Sequence, residues 1–165
     1  MPITIPKPIL LMPKVPSLLV VGLLAAQFLI LQITHNPEPN CTLNLERPHY
    51  STSLSEIQNI DAIKLNITST CNVSQKYTQL SADIQKIQNN REITAYSFEN
   101  ESRSSTSKTP NLVTFKDLIA PCKKAISGSY RGIAQGYVYL ESGKKVAVKG
   151  DSGKFVAVGC LIGAQ

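Results

Sequence analysis

With 165 residues and a formal net charge of +6, the chain is long enough for one domain with a real hydrophobic core and too short for the double barrel of a trypsin-like protease. The charge is uneven: residues 41–115 hold seven basic and seven acidic side chains, residues 116–165 eight basic against three acidic. A basic C-terminal third favours an anionic partner such as an envelope polymer or a lipid surface, but without interleaved aromatics to stack bases it argues against nucleic acid.

From Ser17 to Ile33 the sequence is apolar apart from Gln27 and Gln32. With Pro16 and Thr34 it predicts a transmembrane helix over 16–34, since about 20 apolar residues span a hydrocarbon core. Lys7 and Lys14 precede it and no acid appears before Glu38. Residues 1–15 are then a short basic cytoplasmic segment and the C-terminal part lies outside, single-pass. The rival is a secretory signal cleaved near Leu24-Ala25-Ala26, which would make the protein secreted. Cleavage there would leave Phe28-Leu29-Ile30-Leu31 at a new N-terminus, and the run exceeds a signal core of roughly 7–15 residues. An uncleaved signal anchor is therefore expected. Residues 35–40 form a stiff spacer, and residues 41–165 an extracytoplasmic β-domain.

Within that domain, Thr42–Arg47 alternates Leu43 and Leu45 with polar neighbours, a strand that Pro48 ends. Residues 51–55 read as a polar loop. Residues 60–68 place Ile63, Leu65 and Ile67 on one face, the period of a half-buried strand. Residues 77–87 stay open: Leu80, Ala82 and Ile84 fit a strand, whereas Tyr77, Leu80, Ile84 and Ile87 fit a helix face. Residues 93–98 read as a strand, and the polar, Ser/Thr-rich residues 99–110 as a mobile loop. Residues 112–119 return to the core.

The C-terminal third is the clearest. Residues 130–140 form a strand pair or one long bent strand broken by Gly132 and Gly136. The turn Glu141-Ser142-Gly143-Lys144 leads to a strand at Val146–Val148. The turn Gly150-Asp151-Ser152-Gly153 leads to a last strand over 155–162. Short strands with turn signals at this spacing predict an all-β, immunoglobulin-like β-sandwich.

All four cysteines, Cys41, Cys71, Cys122 and Cys160, follow the apolar segment. An even count in a translocated domain predicts a disulfide framework. Of the three possible pairings, Cys41–Cys71 with Cys122–Cys160 is preferred, because each pair brackets one compact half. The spacings hold no C-x-x-C and only His35 and His49 are available, so no metal site is expected.

Alternation along the last hairpins puts Lys145 and Lys149 opposite Val146 and Val148, with Lys144 and Lys154 in adjoining turns and Arg131 nearby. These five form a candidate patch for an anionic partner. His49 is a candidate ligand contact. Tyr130, with Tyr137 and Tyr139 close to Arg131 and the lysines, is a candidate ligand-binding face, since tyrosine and arginine are favoured at contacts. A backbone-bonded turn for the histidine and core and edge packing for the tyrosines are the plainer readings. Gly150-Asp151-Ser152-Gly153 is similar to a serine-protease nucleophile loop, but nothing around His49 supplies the geometry of a triad, and no catalytic residue is assigned. Sequons occur at Asn40, Asn66, Asn72 and Asn100, and matter only in a eukaryotic or viral setting.

Cys41, then Pro48-His49-Tyr50-Ser51 and Leu65-Asn66-Ile67 before Cys71, resembles the front half of small secreted proteins of Gram-positive bacteria. Cys122, Gly128-Ser129-Tyr130-Arg131-Gly132-Ile133-Ala134 and Cys160 resemble their back half. The resemblance implies a two-disulfide extracellular β-domain and no activity. The expected function is non-catalytic and needs no cofactor: a membrane-anchored extracytoplasmic domain that binds or shields something at the cell surface. The alternatives are a toxin-like or antimicrobial effector released by cleavage, and a small hydrolase.

Overall fold

Alternating apolar and polar side chains lay down nine strands and one short helix among residues 38–163, which a computed structural model describes. The helix expected over 16–34 and the basic segment before it lie outside those residues. No helix among the described residues is long and apolar enough to cross a membrane. Contacts divide the chain into Met1–Glu38 and Pro39–Gln165, and all nine strands belong to the second unit.

In the first sheet, β1 (Cys41–Leu45) and β2 (His49–Tyr50) both pair with one edge of β3 (Ala62–Cys71), and β6 (Leu112–Pro121) pairs with its other edge. In the second sheet, β4 (Gln75–Gln88) lies between β5 (Arg91–Ser104) and β7 (Lys123–Leu140). The far edge of β7 is shared by β8 (Lys145–Asp151) and β9 (Val156–Leu161). All pairings are antiparallel.

Both sheets contribute to one core. Ile63, Leu65 and Ile67 of β3 and Phe115 and Leu118 of β6 meet Leu80 and Ile84 of β4 and Tyr130 and Val138 of β7. The sheets approach so closely at Gly132 that a Cβ there would stand 2.5 Å from Leu65 Cδ1. A buried polar knot sits between β3 and β4: Gln75 Oε1 accepts from Thr78 Oγ1 at 2.7 Å and Ser69 Oγ at 3.2 Å. Because Gln75 Nε2 also donates to Ser69 O at 3.2 Å, both ends of the amide are satisfied, as burial demands.

Both expected disulfides form. Cys41 and Cys71 are directly opposed in the β1–β3 ladder, and Cys122, at the β6–β7 junction, joins Cys160 of β9. No cysteine is free. The open choice at 77–87 resolves as strand: Thr78, Leu80, Ala82 and Ile84 point inward, and Tyr77 is left on the outer face.

Two local expectations need correction. Residues 51–55 are not a loop but the start of α1 (Thr52–Gln58), capped by Ser51 Oγ and closed by Asn59 at φ 56. The helix buries no residue, so no apolar periodicity announced it. Residues 99–104, expected in a mobile loop, continue β5 against β4. The backbone ladder carries them, while their polar side chains stay largely at the surface. Arg103 is tied to Glu101 at 3.2 Å and to Asp117 at 2.6 Å.

Candidate functional site: the outer face of the second sheet

Directly opposed residues of antiparallel strands share a face, so the register of β4, β7 and β8 writes the outer surface in rows. Tyr77, Tyr139 and Lys145 form the first row. Gln79, Tyr137 and Ala147 form the second, and Ser81, Gln135 and Lys149 the third. Asp83, Ile133 and Asp151 close the series.

Over the first three rows lies a groove of about 670 Å³, lined among others by Gln79, Ser81, Asn100, Gln135, Tyr137 and Lys149. A second hollow of about 480 Å³ shares Ser81, Gln135 and Lys149 with it and reaches Asp83 and Asp151. Asn100 reaches the groove because β5 bulges there. The ladder skips from Leu80–Glu101 to Ala82–Phe98, and Asn100 takes φ 55 with its N–H donated to Ser81 Oγ at 3.3 Å. A bulge of this kind re-aims a side chain.

The aromatic end is held by stacking. Tyr77 and Tyr139 lie 4.3 Å apart with rings 14° from parallel. Lys145 Nζ stands 3.6 Å from the Tyr137 ring centroid and 5.3 Å from that of Tyr139. Tyr137 remains 45% exposed. At the acidic end, Asp83 accepts from Ser97 Oγ at 2.7 Å and Asp151 accepts from the Gly153 N–H at 2.8 Å. One strand separates the two carboxylates, so their backbones are roughly 10 Å apart. The groove thus offers exposed aromatic surface, amides, hydroxyls and two ammonium groups.

The expected basic patch does not gather in one place. Lys145 and Lys149 do share the tyrosine face, but Lys144 and Lys154 occupy turns at opposite ends of β8, roughly 20 Å apart along a strand of this length. Arg131 is committed elsewhere: it pairs with Glu92 at 2.7 Å, donates to Gln85 Oε1 at 2.9 and 3.0 Å, and lies over Phe155.

Tyr130 is not a ligand contact. It is fully buried, its hydroxyl donating to Cys160 O at 3.0 Å and accepting from Ile162 N–H at 2.8 Å. Burial raises its phenol above the ordinary value, against the opposing Ile162 hydrogen bond. His49 belongs to the other sheet, where its ring Nδ1 is 3.1 Å from Arg47 O. Ser152 turns its hydroxyl to the backbone and accepts from Gly132 N–H at 2.8 Å. Among the described residues, no three His, Cys, Asp or Glu side chains stand close enough to hold a metal ion.

Sequence patterning missed Gln79, Ser81 and Gln135 as groove residues. Two signals were present, the alternation in 77–85 and in 133–139, but only the register joins them. Asn100 had no signal, because the bulge that aims it depends on the pairing of β4 with β5.

No protein-family model matches the chain, and no curated protein matches it. The solution structure of a late embryogenesis abundant (LEA) protein superposes with a TM-score of 0.37 at 9% identity, over 88% of this chain and 84% of that one. A likeness of that degree carries no argument about fold or function.

Proposed function

We propose that the chain is a membrane-anchored extracytoplasmic protein whose immunoglobulin-like sandwich binds a component of the cell surface without transforming it. The observation that carries this reading is the groove on the outer face of β4, β7 and β8. Its side chains are those of recognition, exposed aromatic, amide and ammonium groups. Two supports come from the rest of the chain. Disulfides such as Cys41–Cys71 and Cys122–Cys160 persist in oxidising compartments. The apolar run from Ser17 to Ile33 behind Lys7 and Lys14 suits an anchor with the domain outside. The resemblance to two-disulfide secreted proteins of Gram-positive bacteria agrees with that placement.

The test has two parts. Protease added to intact cells should remove a C-terminal tag, and the full chain in neutral detergent should co-sediment with isolated cell envelopes. A protected tag, or no association with envelopes, overturns the reading.

A further inference from the structure

We infer that the groove takes a carboxylated polysaccharide, a chain of uronic acid or similar acidic sugars, with one pyranose ring packed on Tyr137; this rests on the binding function proposed above and names its ligand class.

The face dictates the chemistry. β4 and β7 are paired on both edges, so a peptide laid across the floor of the groove would find no edge to extend there. Among the described residues, the only unladdered edge of these three strands is the outer side of β8, at the rim. Recognition falls to side chains, and those present match a ring with many hydroxyls. Gln79, Gln135 and Asn100 each offer a carbonyl and an amide group, and Ser81 a hydroxyl. Together they can donate to and accept from alcohols that do both. Tyr137, 45% exposed, supplies an aromatic plane for the C–H face of a sugar. Lys145 covers one face of that ring, 3.6 Å from its centroid, and so helps hold it, leaving the sugar the ring surface that stays exposed.

The charge selects acidic sugars over neutral ones. Lys145 and Lys149 rise from the same strand edge, and neither joins an ion pair among the described residues. Their backbones are about 13 Å apart along β8, with only Ala147 between them on that face. Carboxylates along a glycan can meet them one after the other. Asp83 and Asp151 bound the site, because an anionic chain is repelled where that row begins. A phosphate polymer without sugar rings fits less well. It presents nothing to stack on Tyr137. Guanidinium groups suit bidentate phosphate contacts best, and Arg131 is already held by Glu92 and Gln85.

The experiment measures binding of full-length protein in neutral detergent micelles to oligogalacturonate, to a neutral cello-oligosaccharide of equal length and to polyphosphate. Oligogalacturonate should bind at least tenfold more tightly than either competitor. Tyr137→Ala, which removes the stacking ring, and Lys149→Gln, which removes a charge-assisted contact, should each weaken it by about tenfold or more. Lys154→Gln, which removes the same charge outside the groove, should change it less than twofold. Circular dichroism melting keeps the variants comparable, since both groove residues lie on the outer face. Equal losses from Lys149→Gln and Lys154→Gln, or equal binding of polyphosphate, overturn the inference. So does full-length protein that binds envelopes but not oligogalacturonate, a result that leaves the binding function standing. Failure to bind envelopes at all strikes that function instead.

Discussion

Tyr130 and Tyr137 belong to the same strand, β7, yet one is fully buried and the other 45% exposed. The difference is parity. Tyr130 falls in line with Ala134 and Val138, which face the core, and Tyr137 with Gln135 and Tyr139, which face out. The inner tyrosine has its hydroxyl used twice, by Cys160 O and Ile162 N–H. The outer one leaves part of its ring exposed, with a lysine ammonium over one face. One strand thus carries a core face and an exposed face, and if the outer face binds as proposed, substitutions should sort cleanly between stability and binding.

The largest expected effect is at the inner face. Tyr130→Ala removes a fully buried ring and should cost about 3–5 kcal/mol in chemical denaturation, as other buried aromatics do. Tyr130→Phe keeps the ring but strands the Cys160 carbonyl and the Ile162 N–H, at about 1–3 kcal/mol. The pH dependence separates ring from hydroxyl. Because the folded state holds the phenol proton more tightly than the unfolded chain, this contribution is intact below the ordinary value of 10.0 and is lost as pH rises through and above it. Melting of the natural protein between pH 9 and 11 should therefore fall more steeply than that of Tyr130→Phe. Parallel curves would mean that the phenol is not the alkaline weak point.

Next in size is the Cys122–Cys160 bridge, which fastens β9 to the start of β7 beside that same tyrosine. Replacing both cysteines with alanine should cost about 2–4 kcal/mol, since the bridge restricts the unfolded chain. Binding through the groove should persist at temperatures where the variant stays folded. A variant that folds fully but loses binding would show that the two faces of β7 are coupled.

The same parity explains what was legible in the sequence. Leu43, Leu45, Ile63, Leu65 and Ile67 announce their strands through strict alternation, and the cysteine halves announce their pairing. Lys145 and Lys149 could be placed opposite Val146 and Val148 from spacing alone. What could not be read was lateral: which strand lies beside which, and in what register. Tyr130 and Tyr137 look equivalent in sequence only because both stand near basic residues. Lys144 and Lys154 look like neighbours because a seven-residue strand is short in sequence and long in space. The polar stretch 99–104 gave no strand signal because its order comes from hydrogen bonds to β4, not from burial.

The smallest expected effect lies on the outer face, at Lys145. Its ammonium is 3.6 Å from the Tyr137 centroid, a cation–π contact worth about 0.5–1 kcal/mol at an exposed site. Lys145→Gln keeps most of the side-chain length and removes the charge, so denaturation should shift by no more than that. A double-mutant cycle with Tyr137→Ala isolates the pair, because the coupling term discards whatever each side chain does alone. A coupling near 0.5 kcal/mol is expected, with little change in 1 M salt, since the partner is a ring quadrupole at contact distance rather than a distant charge. A coupling of zero would mean that the lysine merely lies over the ring. Tyr137 would then be free to reorient, and the contrast with Tyr130 would be one of exposure alone and not of a side chain held ready for a ligand.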